Sequence, residues 1–304
     1  MRTTESIIRR SRWQDRLFMV IGWVVVVLVL GSLGILLADI FIDGLGRIDK
    51  QFLTSFPSRR PGEAGVLSAW VGTALVMLVT CVAALPLGVA AGVYLEEYAP
   101  ENWLTSIIEI NITNLAGVPS IIYGLMALGL FVYAFGFGQS ILSAGLTLGI
   151  LILPIIIVAT REALRGIPQH IREAAYGLGA TRWQVVRHHL LPYSIGGIAT
   201  GAIIGVSRAI GETAPLITIG ALTFIAFLPP APIQTEPELA LRPFAWLSSP
   251  FTVLPIQMFN WVSRPGDAFL ENAAAAGVIL IMVTLVLNSA AVIVRARSRR
   301  RIKW

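Results

Sequence analysis

Charge and cysteine are both scarce in this sequence of 304 residues. Only 13% of the residues are Asp, Glu, Lys or Arg, against about 25% in soluble domains. Cysteine occurs once, at Cys81, which excludes a disulfide-rich secreted scaffold and indicates a small apolar packing residue. Lysine occurs only at Lys50 and Lys303, and neither follows the glycine-rich turn of a phosphate-binding loop, so no ATP hydrolysis by that chemistry is expected. No metal or catalytic site is predicted either, because the histidines do not have the spacing of metal ligands: His170, His188 and His189.

Apolar residues, in contrast, make up 56% of the chain, more than one soluble domain of this length would hide. About 20 apolar residues are needed to cross a bilayer as a helix. Six runs reach this length: residues 17–38, 66–95, 110–135, 140–160, 193–228 and 273–294. The first run is longer than the roughly 7–15 apolar residues of a secretory signal, so we expect an uncleaved span. The sequence therefore predicts an all-α polytopic membrane protein with six transmembrane helices.

Basic residues are unevenly distributed between the two sides of these spans. If the N-terminus lies inside, the inner segments hold 16 Lys and Arg residues and the outer segments hold 6, while Arg208 falls within a span. Cytoplasmic segments carry the excess of such residues, so the predicted topology is N-in, C-in. The net charge of +6 is then explained by topology and by anionic lipid rather than by nucleic acid. One inner loop, residues 96–101, departs from the trend because it is acidic and has no Lys or Arg.

This layout divides the chain into three parts. Residues 1–65 hold an N-terminal cytoplasmic tail, the first span and an outer loop; residues 66–295 form the main transmembrane domain; and residues 296–304 form a basic cytoplasmic tail. Within the main domain, residues 229–271 are an outer segment rich in proline. Its aromatic residues favour an interfacial or re-entrant cap: Trp246, Phe251, Phe259 and Trp261.

A polar loop, residues 161–192, connects spans four and five. Pro168 suits the first turn of a short helix that would end near Gly179. Thr181 has the spacing of a capping box for a second short helix, which Pro192 would end. Two short helices joined at a glycine turn fit a plain connecting hairpin, a DNA-binding helix-turn-helix or a coupling element that docks on a soluble motor. A DNA duplex has little room here, because a membrane span begins directly after Pro192.

Span five contains a charged pair, Arg208 followed four residues later by Glu212. An Arg at the centre of a span costs about 2.5–3.5 kcal/mol on insertion scales, so intramembrane charges usually face a partner or a polar cavity. Mutual neutralisation is one interpretation, but the favoured helical order places Glu before the base. We favour a role in a permeation path, where the guanidinium fork would bind a tetrahedral oxyanion. Glu212 would then orient Arg208 or weaken anion binding enough for release, beside a helix interrupted at Gly211 and Pro215.

Span three carries polar groups around a break at Gly117 and Pro119. Side chains of this kind in a span either make interhelical hydrogen bonds or line a path. Both interpretations stay open for the four polar residues: Asn111, Asn114, Ser120 and Tyr123.

The polar loop resembles the EAA loop of ABC-importer permeases. The pattern is Glu-Ala-Ala, three residues, Gly, eleven residues, and Leu-Pro. Its positions here are Glu173, Ala174, Ala175, Gly179, Leu191 and Pro192. His189 stands where the family usually has an aliphatic residue. The resemblance implies a MetI-like importer permease whose coupling helix sits in a groove of a separate ATP-binding subunit, with Glu173 facing a basic residue of that partner.

The residues around the charged pair are similar to the signature of phosphate-specific ABC permeases. The run is Arg208-Ala-Ile-Gly-Glu-Thr-Ala-Pro215, in the form of the PstA subunit rather than of its PstC partner. Two more segments, 114–124 and 250–261, are also PstA-like. The predicted substrate pathway comprises six residues: Arg208, Glu212, Thr213, Asn114, Ser120 and Tyr123.

The resemblance implies the permease subunit of an ATP-driven phosphate importer of the bacterial inner membrane, which is not itself an enzyme. It further implies a PstC-like second permease, two PstB-like ATPases that hold ATP and Mg, and an extracytoplasmic PstS-like phosphate-binding protein. A permease for another oxyanion, such as sulfate or molybdate, is the main alternative. An ATP-independent channel or secondary transporter is a further alternative, which the EAA-type loop argues against.

Overall fold

All of the regular secondary structure is helical within the two ranges, residues 2–231 and 244–300, that a computed structural model of the chain describes. Five long helices are joined by short ones, and no strand occurs within these ranges. The long helices are α1 (Arg2–Leu45), α3 (Leu67–Val93), α6 (Ile141–Arg165), α9 (Leu191–Gly211) and α12 (Asp267–Arg300). The short helices are α2 (Lys50–Thr54), α4 (Trp103–Leu115), α5 (Ser120–Ala127), α7 (Gln169–Gly177), α8 (Arg182–Val185), α10 (Ala214–Ile219) and α11 (Leu254–Val262).

Five helical segments are long and apolar enough to cross a membrane: Ser11–Leu45, Leu67–Tyr98, Ile141–Arg165, Arg182–Gly211 and Asp267–Ser289. A sixth span is present if the bent pair Trp103–Leu115 and Ser120–Ala134 is counted as one. The predicted all-α class is confirmed, and the six predicted spans agree with the structure when the bent pair is counted as one span. The N-in, C-in orientation stays a prediction.

The third span differs from the single run expected over residues 110–135. Its two halves, α4 and α5 with the π-helical turn Leu128–Ala134, are bent by 108°. Pro119 causes the break, since it has no N–H to donate and disfavours helical geometry at the residue before it. We refer to residues 115–120 with the two flanking helices as the elbow.

The fifth span is shorter than the expected run over residues 193–228. Helix α9 ends at Gly211, Glu212 has extended backbone (φ −76°, ψ 128°), and α10 ends at Gly220, whose φ of +99° favours glycine. Pro215 lies in the first turn of α10, where its missing N–H costs nothing. The predicted interruption at Gly211 and Pro215 is confirmed, but the span is divided there and does not continue as one helix.

At its other end, α9 begins earlier than predicted. The expectation that Pro192 ends a separate short helix is wrong, because α8 continues through a π-helical turn, Val186–Leu190, directly into α9. The wide turn is closed by the bond from the Leu191 N–H to the Val186 carbonyl. Such a turn accommodates a proline that would otherwise break the helix.

The core lies where α3, α6 and α9 pack together. Small residues let the helices approach closely: a Cβ on Gly145 would lie 2.5 Å from the Val79 side chain, and one on Gly201 would lie 2.1 Å from the Ala159 Cβ. The side chain of Ile152 is fully buried at the centre. This bundle is the frame from which the broken helices project.

The described part of the outer segment folds into the bundle. The backbone N–H of Leu254 donates to Thr73 Oγ1 (3.0 Å), and Trp261 is fully buried while Phe259 is exposed. Trp246 and Phe251 are buried as well. The segment therefore includes a packed helix, α11, and its last residues already belong to α12; residues 232–243 lie outside the described part.

Helix α1 is peripheral. Only Gly44 is buried among its described side chains and glycines, and a Cβ there would lie 2.7 Å from the backbone of Ala274 in α12. None of its most apolar stretch is covered by the rest of the chain. The helix is thus attached to the bundle near its C-terminal end and exposed over most of its length.

Candidate functional site

The charged pair predicted in span five lies at the break between α9 and α10. Arg208 is in the last turn of α9, and its Nε donates to Glu212 Oε1 at 3.2 Å. Because Glu212 has left the helix, the pair does not depend on the helical order that disfavoured it in the sequence. A cation in the last turn is also favoured by the negative end of the helix dipole. Both charges are therefore held at a helix end rather than in the middle of a continuous span.

The second half of the elbow packs directly on this break. Gly124 of α5 has no room for a side chain, because a Cβ would lie 1.8 Å from Thr218 Oγ1 and 2.6 Å from Pro215 Cα. Tyr123 is buried beside it and donates from its hydroxyl to the Leu115 carbonyl at 2.8 Å, across the bend. Two broken spans thus meet, an arrangement that in membrane transporters leaves backbone groups available for ions and substrates.

Four of the six predicted pathway residues are brought to this meeting point. Tyr123 precedes Gly124, which packs on Pro215, and Thr213 is the residue between Glu212 and the first turn of α10. Ser120 is half-buried in the first turn of α5, three residues before Tyr123.

Asn114 lies in the first half of the elbow, on α4. It lines a polar cavity of about 330 Å³ together with Glu109, Arg161 and Arg165. Asn111 donates to the Ile107 carbonyl within its own helix (2.8 Å), so its bond is not interhelical. The six residues therefore do not form one cluster.

An ion-pair cluster that the sequence did not reveal joins α3, α4, α6 and α7. Its shortest contacts are Arg161 Nη2 to Glu109 Oε1 (2.6 Å), Arg165 Nε to Glu96 Oε2 (2.9 Å) and Arg172 Nη2 to Glu97 Oε1 (2.8 Å). The available signal was the acidic loop at residues 96–101, which lacked the basic residues expected there. Two of its three glutamates, Glu96 and Glu97, lie in the π-helical turn Tyr94–Tyr98 and face three arginines of the polar loop.

The polar loop folds largely as predicted. Helix α7 ends at Gly177, Gly179 has a φ of +83°, and Thr181 and Gln184 form the capping box. The most exposed apolar side chains at its tip are Leu178 (90% exposed) and Trp183 (57%).

The EAA-type positions of the loop point in different directions. Glu173, Ala174 and Gly179 are exposed, but Ala175 is buried in the loop's own apolar core beside Val185. The last two positions, Leu191 and Pro192, begin α9 and do not lie at the tip. Only part of the pattern is therefore available to a docking partner.

Comparison with known proteins identifies the class. Residues 84–304 match the family described as binding-protein-dependent transport system inner membrane component. The fold is similar to that of a chain of the MetNI methionine ABC transporter in an inward-facing conformation, with a TM-score of 0.55, 18% identity, and coverage of 77% of this chain and 95% of that one. The protein shares its fold with that chain. It belongs to the binding-protein-dependent inner membrane component family, whose members are transporter subunits and not enzymes.

Within this family, the relatives include phosphate permeases. The phosphate transport system permease protein PstA of Yersinia pestis is 31% identical, over 85% of this chain and 81% of that protein. The probable ABC transporter permease protein YqgI of Bacillus subtilis is 31% identical over 84% and 86%. The phosphate transport system permease protein PstC of Mesorhizobium japonicum is 28% identical over 93% and 90%. The resemblance to PstA-type permeases is confirmed, and the chain is a multi-pass inner-membrane protein.

Proposed function

We propose that this subunit forms half of the translocation pathway of an ATP-driven phosphate importer. The observation that carries the proposal is Arg208 at the meeting point of two broken spans. Of the five N–H donors of a guanidinium, Arg208 uses only Nε, towards Glu212; its Nη groups make no hydrogen bond to any residue that the structure describes. The four N–H donors that remain lie in one plane on the two Nη groups and suit the oxygens of a tetrahedral oxyanion.

Glu212 would allow the site to release the bound anion, as a transporter must. Its carboxylate is mostly buried and holds Arg208 in place, and it repels an anion that binds beside it. Tight binding would trap the substrate in the membrane, whereas a competing carboxylate keeps the anion's affinity moderate. Glu212 is therefore proposed to orient Arg208 and to weaken phosphate binding.

The polar loop supplies the proposed link to ATP. Leu178 and Trp183 expose apolar surface at its tip, and Glu173 is exposed on α7, as expected of a helix that seats in a groove of an ATPase subunit. In this proposal, a PstB-like ATPase dimer holds ATP and Mg, and a PstC-like permease forms the other half of the pathway. A PstS-like protein delivers phosphate from outside, and both termini of this chain are cytoplasmic.

The test is phosphate uptake by the complete transporter carrying Arg208→Gln. We expect uptake to fall by about a hundredfold or more, since one charge-assisted anion contact contributes about 1.5–3 kcal/mol and the buried Glu212 is left without its partner. Arg208→Lys should retain part of the activity because it keeps the charge without the fork. Arg59→Gln, which removes an exposed arginine of the outer loop, is the control.

Competition identifies the anion. Excess sulfate or molybdate should leave uptake of labelled phosphate unchanged. Wild-type levels of uptake with Arg208→Gln would remove this residue from the pathway, and inhibition by sulfate or molybdate would instead support the alternative oxyanion permease.

A further inference from the structure

Arg172 ties the coupling helix α7 to the end of α3. Its Nη2 and Nε approach Glu97 Oε1 at 2.8 and 3.2 Å. The same guanidinium donates to the carbonyls of Leu164 (3.0 Å) and Ile167 (2.9 Å), at the end of α6 and just beyond it. Arg172 therefore holds three segments together, and it lies one residue before the exposed Glu173.

A second arginine ties α6 to the elbow. Arg161 is mostly buried, with Nη2 at 2.6 Å from Glu109 on α4 and Nε at 3.4 Å from Glu96 in the π-helical turn after α3. Arg165, one turn later on α6, approaches Glu96 at 2.9 Å. The adjacent glutamates, Glu96 and Glu97, thus connect both arginines of α6 to Arg172 of α7.

These contacts differ from ordinary surface ion pairs in their burial. The side chain of Glu97 is 8% exposed and that of Arg172 is 18% exposed. Exposed pairs give way easily because water replaces the partner, but separating a buried pair leaves a charge without solvent or partner. The apolar contact of Ala175 with the neighbouring core reinforces the same junction. A displacement of α7 must therefore move the end of α3 with it.

The position of helix α4 depends strongly on this cluster. None of the residues of α4 is buried, and a bend of 108° separates it from α5. Its position is set by the break at Pro119, by the bond from Tyr123 to the Leu115 carbonyl, and by its contact with α6, which includes the ion pair between Glu109 and Arg161. A helix held in this way moves readily when its partner arginine moves.

We propose that this cluster transmits motion from the coupling loop to the elbow, with Arg172, Glu97, Arg161 and Glu109 as positioning residues. Displacement of α7 is passed through Arg172 and Glu97 to the end of α3, then through Glu96 and Arg161 to α4. The elbow then shifts Tyr123 relative to Arg208. The inference rests on the proposed function for the source of the motion, namely an ATPase docked on the loop.

The first experiment measures phosphate imported per ATP hydrolysed by the complete transporter in proteoliposomes. With Glu97→Gln or Arg172→Gln, we expect this ratio to fall about tenfold while ATP hydrolysis continues, because the coupling free energy and not the motor is lost. The exchange Glu97→Arg with Arg172→Glu should recover a large part of the ratio. Glu162→Gln is the matched control, since its pair with Arg165 is largely exposed.

An unchanged ratio in the single variants, or an exchange variant no better than the single ones, would overturn the proposal. Should the Glu97 variant fail to assemble, Glu109→Gln replaces it, because Glu109 is the more exposed glutamate and belongs to the same relay.

A second experiment does not depend on the substrate. Nitroxide labels would be attached to cysteines introduced at Trp103 on α4 and at Arg60, which precedes the N-terminal end of α3, in a Cys81→Ala background. The distance between the two labels would report movement of α4. Trapping with ATP and vanadate should change the distance in the parent protein and not in Glu97→Gln. The same change in both would overturn the relay, whereas a parent transporter that imports no phosphate would overturn the proposed function alone.

Discussion

The close contact between α5 and α10 depends on the absence of one side chain. At Gly124, even a methyl group would lie within 1.8 Å of Thr218 Oγ1 and within 2.6 Å of the Pro215 backbone. Backbone atoms cannot move aside as a flexible side chain can, so the two broken spans would separate. The geometry around Tyr123 and Arg208 therefore depends on Gly124, although this residue has no side chain that could bind a substrate.

Replacing Gly124 by Ala tests this contact. Overpacking costs about 1–3 kcal/mol, so we expect uptake to fall by about tenfold or more while the subunit still inserts. Gly129→Ala, five residues later, is the matched control, because its Cβ would meet nothing within 4 Å. Equal uptake by the two variants would show that the close approach does not matter.

At the level of residues, sequence reasoning identified side chains but not all of their neighbours. Arg208, Glu212 and Tyr123 were singled out because charges and polar groups are costly in a membrane, a rule that needs no structure. The ion-pair cluster was missed because its partners are far apart in the chain: Glu96 and Arg161 are separated by 65 residues, and Glu97 and Arg172 by 75. Only the imbalance of charge in one loop indicated that these glutamates had partners elsewhere.

Among the elements, the α7–α8 turn was predictable because its determinants are local. A capping box involves residues three positions apart, and a left-handed residue at a helix end favours glycine whatever surrounds it. The prediction at Pro192 was wrong because proline can end one helix but is also accepted in the first turn of another. The π-helical turn that resolves this ambiguity leaves no mark in the sequence.

The turn itself can be tested at Gly179. Its φ of +83° disfavours any other residue, and a Cβ there meets no atom of the chain, so Gly179→Ala should strain the turn by about 1–2 kcal/mol without disturbing packing. We expect co-purification of the ATPase to weaken about tenfold with the subunit still inserted. Gly177→Ala, with equal space and no positive φ, should bind the ATPase normally. Loss of binding in both variants, or in neither, would contradict a role for the backbone conformation.

For the whole molecule, composition predicted the class and the number of spans, since about 20 apolar residues suffice to recognise each one. It could not predict how the spans pack. The return of residues 251–262 into the bundle depends on contacts such as that between Leu254 and Thr73, which are 181 residues apart. The sequence likewise did not indicate that α3, α6 and α9 form the frame while α1 is peripheral.

The peripheral position of α1 predicts that most of its sequence is replaceable. Exchanging residues 17–34 for an unrelated apolar span of equal length should leave uptake within about twofold, because all of these residues are exposed and none is buried against the rest of the described chain. Gly44→Val should be harmful, since its side chain would press on the Ala274 backbone at 2.7 Å. Loss of uptake in the exchanged protein, with insertion intact, would show that α1 has partners beyond this chain.

The length of α1 has a further consequence for the bilayer around the protein. Its candidate span, Ser11–Leu45, has 35 residues and is about 52 Å long at 1.5 Å per residue, whereas the hydrocarbon core is about 30 Å thick. The surplus is accommodated by tilt or by projection beyond the membrane. None of the most apolar stretch of this helix is buried against the rest of the described chain, so no contact within the chain fixes its tilt over that stretch. A thinner or thicker bilayer can therefore reorient α1 without deforming the frame that carries the two broken spans.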